Sequence, residues 1–280
     1  MPNKKVSVVK SDGSREFWNE EKLHASLTHA GADEKTAREI VGHVTRELID
    51  GIRTDEIYRH AFALLRKSAR PAAARYSLRR AVLELGPTGF PFERYIAELY
   101  RHRGFSVLLD QTVVGKCVSH EIDVVAWNAE KLIMVEAKYH HDIAHKSDLK
   151  VALYVKARFE DLLGMPVRCG GAERRITDGL LITNTKFTER AIQYSACAGV
   201  KLIGWNYPAK GNLHDLIQEA GVHPITSLSS FSATDKRHLM EAGVILCRDL
   251  RDKKEKIAAL GISPDRLTAA LSESARLCPM

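Results

Sequence analysis

Two neighbouring segments of the chain concentrate charged side chains in a pattern suited to metal chemistry. Residues 120–127 read His-Glu-Ile-Asp-Val-Val-Ala-Trp, and residues 132–138 read Leu-Ile-Met-Val-Glu-Ala-Lys. Their period-two alternation predicts two antiparallel strands joined by a turn at residues 128–131. In that register Asp123 lies opposite Glu136. Because like charges that face each other destabilise a sheet, this pair indicates a divalent cation held between the two carboxylates.

The same register determines the other pairs of the predicted hairpin. Trp127 pairs with Leu132, and Glu121 lies opposite Lys138. The oxygen ligands favour Mg²⁺, with Mn²⁺ as the alternative. A second interpretation is an exposed charged face, on which Glu121 and Lys138 pair and the other acids are solvated. The adjoining apolar residues 124–126 favour a buried strand instead.

Helices and strands are predicted on both sides of this hairpin. Residues 89–104 form an amphipathic helix that carries Glu93 and stops at Gly104. The other predicted elements are a strand at 105–109, a helix at 147–163 capped by Ser147, a strand at 179–183, a helix at 188–197 and a strand at 200–204. The resulting order is one helix, three strands, and then helix, strand, helix and strand. It predicts an α/β fold.

This order of elements and motifs resembles the PD-(D/E)xK nuclease superfamily, in particular its Mrr-like restriction-endonuclease branch. The resemblance spans about residues 87–206 and rests on Glu93, Glu121-Ile-Asp123, Glu136-Ala-Lys138 and Thr183-Asn-Thr-Lys-Phe187. It implies a restriction-endonuclease-like core with a mixed sheet. In one departure, Glu136 stands where the branch often has glutamine, although glutamate follows the wider superfamily.

The residue types suit phosphodiester hydrolysis, which needs a metal ion to stabilise phosphoryl charge and to generate hydroxide near neutral pH. Asp123 and Glu136 are the candidate metal ligands, helped by the backbone carbonyl of Ala137. The ammonium of Lys138 would lower the pKa of the attacking water or stabilise the pentacovalent phosphate. The resemblance adds Glu93 as a further ligand, direct or through water. The alternative role for Glu93 is a solvated acid on a helix surface.

Histidines and cysteines raise zinc as an alternative metal. The histidines near the motif are His120, His140, His141 and His145. Zinc sites take three or four nitrogen or sulfur ligands at regular spacing, and the sequence has neither Cys-x-x-Cys nor His-Glu-x-x-His. The five cysteines are scattered and odd in number. A reduced, cytoplasmic chain fits them better than a disulfide framework.

Length and charge limit the remaining possibilities. The 280 residues have room for two or three domains, and no segment has the length and apolarity of a signal peptide or a membrane span. We therefore expect a cytoplasmic protein with no membrane partner. The net charge of +7 and the pI near 9.1 favour a polyanionic partner. Beside a phosphodiesterase motif, that partner is predicted to be DNA, in the double-stranded form. The oligomeric state, including a homo-oligomer, stays open.

The first 86 residues form a separate predicted domain. A hairpin with its turn at residues 11–14 is followed by a helix capped by Asn19 and by helices at 36–49, 54–67 and 72–85, and residues 86–89 read as a linker. This segment resembles the ATP-cone, a nucleotide-sensing module of ribonucleotide reductases and their repressor. The matching residues are Val8-Val9-Lys10-Ser11-Asp12-Gly13, the segment Phe17 to Lys22, and Tyr76-Ser-Leu-Arg79-Arg80.

The ATP-cone resemblance implies an adenine nucleotide, ATP or dATP, as a ligand. Val9, Lys10 and Lys22 are the positions carried over, with both lysines on the phosphates. Ser11 stands where the family commonly has arginine, which removes one positive charge. The sequence has no Walker-type Gly-x-x-x-x-Gly-Lys loop, so we expect sensing rather than an ATP-driven motor. The alternative is a small helical module without a ligand.

The last region, from His223 onward, is predicted to be helical and basic. Helices are predicted at 235–242, 247–260 and 264–277, with Ser263 capping the last of them. The Leu-Gly-Ile turn at residues 260–262 resembles a helix-hairpin-helix, which implies contact with DNA phosphates. The basic residues are Lys236, Arg237, Arg248, Arg251, Lys253, Lys254 and Lys256. The alternative is a helical cap packed on the preceding domain.

Together these features predict an α/β protein with three regions, an ATP-cone at 1–86, a restriction-endonuclease-like domain at 87–222 and a helical region at 223–280. The predicted function is that of a Mg²⁺-dependent endonuclease acting on DNA, in restriction, defence or DNA processing, and regulated by ATP or dATP. The alternative is a nucleotide-sensing regulator that binds nucleic acid through a catalytically inactive nuclease-like domain.

Overall fold

A computed structural model describes residues 6–10, 13–86 and 88–278 of the chain. Its described part divides into two compact units, Met1–Leu78 and Arg79–Met280. Ser11 and Asp12 of the predicted first turn, and Pro87 of the predicted linker, lie outside the described residues.

The first unit has one small sheet and a set of helices. Its elements are β1 (Ser7–Val9), β2 (Arg15–Phe17), α1 (Glu20–His29), α2 (Glu34–Arg46), β3 (Ile52–Arg53), α3 (Thr54–Ser68) and α4 (Arg70–Tyr76), and α5 (Leu78–Leu83) follows at the border with the second unit. The strands lie in the order β2-β1-β3, with β1 antiparallel to β2 and parallel to β3. The predicted hairpin and the first three helices are therefore present.

The helices of this unit form because apolar residues recur at helical spacing. Asn19 accepts a hydrogen bond from the Lys22 amide and starts α1, as predicted. The predicted single helix at 72–85 is wrong, because α4 ends at Tyr76 and α5 begins after Ser77. Serine competes with helical hydrogen bonding and favours such a break.

The second unit contains the larger sheet. Its helices are α6 (Phe90–His102), α7 (Leu149–Leu162), α8 (Glu189–Ala198), α9 (Leu213–Ala220), α10 (Ala233–Glu241), α11 (Asp249–Asp252), α12 (Lys254–Ala258) and α13 (Pro264–Leu277). Its strands are β4 (Ser106–Val114), β5 (Ser119–Trp127), β6 (Leu132–Lys138), β7 (Lys146–Ser147), β8 (Pro166–Cys169), β9 (Ala172–Arg175), β10 (Asp178–Thr183), β11 (Lys186–Phe187) and β12 (Lys201–Ile203).

The main sheet is mixed, in the order β12-β10-β6-β5-β4. Strands β4, β5 and β6 run antiparallel, whereas β10 is parallel to both β6 and β12. Helices α7 and α8 bury their apolar residues against one face of the sheet, and α6 contacts β4, β5 and β6. The α/β class and the order of the main elements are those predicted.

The hairpin of β5 and β6 has the predicted turn. Trp127 pairs with Leu132, and the Asn128 side chain accepts hydrogen bonds from the amides of residues 130 and 131. The ladder ends where Val124 pairs with Val135. The predicted pair of Glu121 with Lys138 is therefore wrong.

Beyond the end of that ladder the two strands take other partners. Glu121 pairs with Thr112 of β4, and Lys138 pairs with Thr183 of β10. Lys138 can pair in this way because parallel strand β10 lies on the other side of β6. The hydrogen bonding of the sheet thus continues through β4 and β10 at the level of the charged residues.

Other boundaries also differ from the predictions. Asp148, not Ser147, caps α7, because its carboxylate accepts from the Val151 amide while Ser147 lies in β7. The predicted helix at 247–260 is divided into α11 and α12, with a break at Lys253. Helix α9 and the hairpin of β8 and β9 were not predicted.

The C-terminal helices pack within the second unit. The Tyr95 hydroxyl of α6 donates to the Val222 carbonyl, and the Thr226 hydroxyl donates to the Ala81 carbonyl, both in buried positions. Ser263 starts α13, as predicted, although its side chain makes no capping hydrogen bond. Within the described residues, none of the helices combines the length and apolarity needed to cross a bilayer.

Candidate metal centre and nucleotide site

Asp123 and Glu136 come together at the end of the ladder between β5 and β6. A carboxylate oxygen of Asp123 accepts a hydrogen bond of 2.7 Å from the Ala137 amide, which follows Glu136 in β6. Both side chains are partly buried. The sequence therefore placed these two acids correctly at one point of the sheet, although they are joined through a side chain and a backbone amide rather than as a ladder pair.

Two further acids contribute to this cluster. Glu93, near the start of α6, has its pKa raised to about 7 by burial and by the charges of Asp123, Asp110 and Glu136. Asp110 lies in β4 with a positive φ of 52°, in the register position opposite Asp123. We call Glu93, Asp110, Asp123 and Glu136 the carboxylate cluster. Sequence reasoning missed Asp110 because the first strand was predicted to end one residue earlier.

The electrostatics of Asp123 follow from the same neighbours. Burial raises its pKa to about 6, and the charges of Glu136 and Asp110 add to the rise. The Ala137 amide and the Arg158 guanidinium act in the opposite direction. The rise reflects first the partial burial of Asp123 and then repulsion from the neighbouring carboxylates of Glu136 and exposed Asp110.

Arg158 is a member of this site that the sequence did not reveal. It projects from α7 and is only 7% exposed. Its guanidinium donates to the Glu136 carboxylate and to the Glu121 carbonyl. A buried arginine on one acid of the cluster holds that acid in place and neutralises part of its charge.

Lys138 is the last residue of β6. Lys138 is exposed, and the following segment is held by buried Asn184, which exchanges two hydrogen bonds of 2.8 Å with the His140 backbone. Asn184 belongs to the Thr183-Asn-Thr-Lys-Phe187 motif, so this motif positions the chain that leaves the lysine. The proposed contribution of the Ala137 carbonyl to metal binding stays a prediction.

The four histidines near the motif have different partners, and of these four described side chains only His140 and His145 contact each other, with ring centroids 4.0 Å apart. His120 lies 2.8 Å from Asp161, and His140 lies 2.9 Å from the Ser147 hydroxyl. Burial, with the charges of His145 and Lys138, lowers the pKa of His140 to about 4. His141 packs edge-on against Tyr139. No common zinc site forms from these four side chains in the described part of the chain.

The residues of the carboxylate cluster suit a hard divalent cation. They offer several carboxylate oxygens, which are the ligands that Mg²⁺ and Mn²⁺ prefer. The raised pKa values of Glu93 and Asp123 show that burial and neighbouring acids disfavour their charged forms, and for Asp123 the nearby Arg158 offsets this only in part. A bound cation would supply positive charge, and the oxygen donors are of the type that suits the metal that the motif implies, although in the described residues no three of them have ligand atoms within 4.8 Å of one another.

A pH dependence of the metal-free protein follows from these pKa values. The folded state binds protons on Glu93 and Asp123 more tightly than the unfolded chain, whose values are near 4.5 and 3.8. The stabilisation that this gives is therefore lost as pH rises from about 4 to about 7. Glu93→Gln removes one of the two titrations, so its free energy of unfolding relative to wild type should rise over that range.

Urea denaturation of both proteins in EDTA, at about pH 4.5 and about pH 7.5, measures this difference. Glu98→Gln is a matched control on the exposed side of α6, where the glutamate pairs with Arg101. Parallel pH profiles for wild type and Glu93→Gln would show that Glu93 does not titrate in the cluster.

In the first unit, the two lysines expected at a nucleotide converge on one carboxylate. The Lys10 and Lys22 ammonium groups each lie 2.8 Å from the same oxygen of Glu16. Their hydrogen bonds lower the pKa of Glu16. Val9 lies in β1 beside Lys10. The arrangement can hold an anionic group between two ammonium groups, and Glu16 occupies that position.

The basic residues of the C-terminal region are partly used within the fold. Lys236 donates to the Thr226 carbonyl, Arg248 to the Gly221 carbonyl and Lys253 to the Gly243 carbonyl. Arg251 and Lys256 are partly or fully exposed, and the side chain of Lys254 lies outside the described ones. The predicted glycine turn is present, with Gly261 at a φ of 69° between α12 and α13.

Three segments of the chain match known families. Residues 6–82 match the ATP cone domain, residues 87–206 match a restriction endonuclease domain, and residues 223–278 match the C-terminal region of AF1548-like proteins. The first two matches agree with the resemblances found in the sequence.

Individual relatives were found by sequence and by structure. An uncharacterised protein of Archaeoglobus fulgidus is 34% identical over 186 residues, which cover 65% of this chain and 99% of that protein. A crystal structure of a protein of unknown function, AF1548, has 33% identity and a TM-score of 0.54, and covers 68% of this chain and 98% of its own. The structure of Can2 from Sulfobacillus thermosulfidooxidans in complex with cyclic tetra-adenylate has 14% identity and a TM-score of 0.32, over 71% of this chain and 54% of that one.

Proposed function

Because this chain belongs to the AF1548-like family and joins an ATP-cone to a restriction endonuclease domain, we propose that it is a metal-dependent endonuclease that hydrolyses DNA phosphodiester bonds. The observation that carries this proposal is the electrostatic proximity of Glu93, Asp123 and Glu136 near the end of β6, whose last residue is Lys138. A phosphodiesterase needs these groups together, carboxylates for a cation and an ammonium for the developing phosphate charge.

The side chains divide the proposed chemistry among them. Asp123, Glu136 and the Ala137 carbonyl would hold Mg²⁺ or Mn²⁺, with Glu93 as a further ligand, direct or through water. A cation in that place supplies positive charge to the phosphate and a bound water of lowered pKa. Lys138, exposed at the end of its strand, would approach the scissile phosphate from the open side and stabilise its negative charge.

The proposed substrate is double-stranded DNA. The proposed biological context is restriction, defence or DNA processing. The net charge of +7 supports a polyanionic partner. In this proposal residues 1–86 bind ATP or dATP, residues 87–222 cleave DNA, and residues 223–280 contact DNA phosphates through basic side chains such as Arg251 and Lys256. The cytoplasm is the proposed location, and self-association into a homo-oligomer stays open.

Nicking of supercoiled plasmid by the full-length protein tests this function. Cleavage should need Mg²⁺ or Mn²⁺ and should stop when EDTA is added, because in this proposal a cation held by the carboxylates stabilises phosphoryl charge and lowers the pKa of the attacking water. Absence of cleavage of plasmid and of linear duplex with either metal, by protein that binds DNA, would reject the proposed enzyme.

One observation favours a second candidate function. Arg158 holds the Glu136 carboxylate, and a cation must compete with it or share that group. If Arg158 is never displaced, the domain would bind nucleic acid without cleaving it, and the chain would be a nucleotide-sensing regulator. Calorimetric titration with Mn²⁺ separates the two candidates, since only the enzyme requires a metal bound at Asp123 and Glu136.

Nucleotide binding at Lys10 and Lys22 gives a separate prediction. ATP should raise the melting temperature of the full-length protein by mass action. At an ATP concentration of 100 times its Kd, the free energy of unfolding should increase by about 2.7 kcal/mol. Lys22→Ala should abolish this shift. Glu16→Gln should enlarge it at a fixed ATP concentration, because Glu16 competes with phosphate for both ammonium groups.

Lys35→Ala, an exposed lysine of α2, is the matched control for these variants and should respond to ATP as wild type does. A shift that persists unchanged in Lys22→Ala would place the nucleotide elsewhere. A wild-type protein that shows neither heat nor a shift at millimolar ATP or dATP would make the first unit a structural or docking element.

A further inference from the structure

Three side chains of the first unit, other than the lysines of the proposed nucleotide site, converge on one surface point. The Nε2 atom of His43 lies 3.2 Å from one carboxylate oxygen of Glu47, and the Nε2 atom of His60 lies 3.4 Å from the other. Potential ligand atoms of all three residues lie within 4.8 Å of one another. In the part of the chain that the structure describes, this is the one trio of histidine, cysteine or acidic side chains that satisfies this criterion.

Local structure explains how the three side chains meet. His43 lies in the last turn of α2 and Glu47 follows directly after it, so a spacing of four residues places them on the same side of the helix. His60 is in the second turn of the adjacent α3. The two imidazole rings stand edge to face with centroids 5.1 Å apart. Neither imidazole is directed at a different carboxylate, since both face the two oxygens of Glu47.

We propose that His43, Glu47 and His60 form a binding site for Zn²⁺ or a similar borderline transition metal. Two imidazoles and one carboxylate are a donor set that such ions use, with a fourth position open to water. Mg²⁺ is disfavoured by this chemistry, because it prefers oxygen ligands and two of the three donors are imidazole nitrogens. The site therefore differs in metal preference from the carboxylate cluster.

Ordinary helix-surface ion pairing accounts less well for this arrangement. Surface pairs between histidine and glutamate contribute little to stability, so ion pairing alone gives little reason for two helices to bring these three side chains to one point. The side chains are between 30% and 56% exposed, so an ion from solvent can reach all three. Bound metal would tie the end of α2 to α3 and stabilise the first unit by mass action.

Zinc titration of the full-length protein tests the site. Asp123→Ala is used as the background, so that the carboxylate cluster does not contribute a second binding event. We expect one equivalent of Zn²⁺ to bind in competition with a chromophoric chelator and to raise the melting temperature. Co²⁺ should give the visible absorption of a low-symmetry, four- or five-coordinate site with nitrogen ligands.

Two variants and a control decide the assignment. His60→Ala should weaken the binding of Zn²⁺ at least about tenfold. Loss of a residue that only hydrogen-bonds to a metal ligand already lowers metal affinity by about that factor. Glu47→Gln, which keeps the side-chain shape, should also weaken it. His29→Ala, an exposed histidine of α1, should bind as the background protein does. Binding of Zn²⁺ by His60→Ala and Glu47→Gln that equals the background, or a background protein that binds no Zn²⁺, would overturn the proposal.

Discussion

Replacing Asp123 with alanine is expected to abolish metal-dependent nicking of plasmid DNA. The carboxylate is partly buried and interacts with Glu136, Asp110 and Glu93, so its loss removes a proposed metal ligand from the carboxylate cluster. The fold should survive, because the substitution also removes a charge whose raised pKa shows that it is unfavourable in the metal-free protein. The measurements are the nicking rate in Mg²⁺ and the melting temperature in EDTA.

Asp265→Ala is the matched control, since Asp265 is an exposed aspartate in the first turn of α13. It should cleave at the wild-type rate. Nicking at the wild-type rate by purified Asp123→Ala would remove this residue from the proposed catalytic site. If Asp123→Ala loses cleavage together with its cooperative melting transition, the role of the residue would be structural instead.

Glu136 makes a less direct test of the same site. Its carboxylate pairs with Arg158, which is only 7% exposed. Glu136→Ala would leave a buried guanidinium without its partner, a change that costs about 3 kcal/mol or more. The sequence alone does not show this cost, because the arginine comes from a helix more than twenty residues later in the chain.

The hairpin of β5 and β6 was predictable because the residues that determine it lie close together in the sequence. Alternation fixed the faces of β5 and β6, and Asn128 supplied the turn that pairs Trp127 with Leu132. The register beyond Val124 was not predictable in the same way. It depends on β4 and β10, which pair with Glu121 and Lys138, and β10 comes from a distant part of the chain.

Membership of the carboxylate cluster was only partly predictable. Glu93 was found through a motif, whereas Asp110 has no motif and enters through the pairing of β4 with β5. Arg158 lies on the apolar face of α7, where a sequence pattern suggests a residue with a solvated head group. In each case the missing information is a tertiary contact.

The same limit applies to the first unit. His43 and Glu47 have a spacing that places both on one side of a helix, which the sequence shows directly. His60 joins them only because α2 and α3 pack side by side. The convergence of Lys10 and Lys22 on Glu16 likewise depends on the hairpin bringing β2 next to β1.

Lys138→Ala is expected to lower the nicking rate by a factor of at least about one hundred, the scale on which single electrostatic groups act in catalysis. Lys138 is the exposed last residue of β6 and follows directly after the groups proposed to hold the cation. Its ammonium would act on charge that develops on the phosphate rather than on the metal. Metal affinity should therefore change little, and Mn²⁺ titration by calorimetry measures it beside the single-turnover rate.

Lys131→Ala is the control at the opposite end of the same strand, where the lysine lies near the Phe105 ring in the turn region. It removes an equal charge from the same hairpin, so any effect of net charge on DNA binding appears in both variants. A local role at the phosphate predicts that Lys138→Ala loses most of the cleavage rate but keeps the wild-type affinity for Mn²⁺. It also predicts that Lys131→Ala cleaves at a near-normal rate. Equal losses in the two variants would assign Lys138 to general attraction of DNA and leave the carboxylates to act without it.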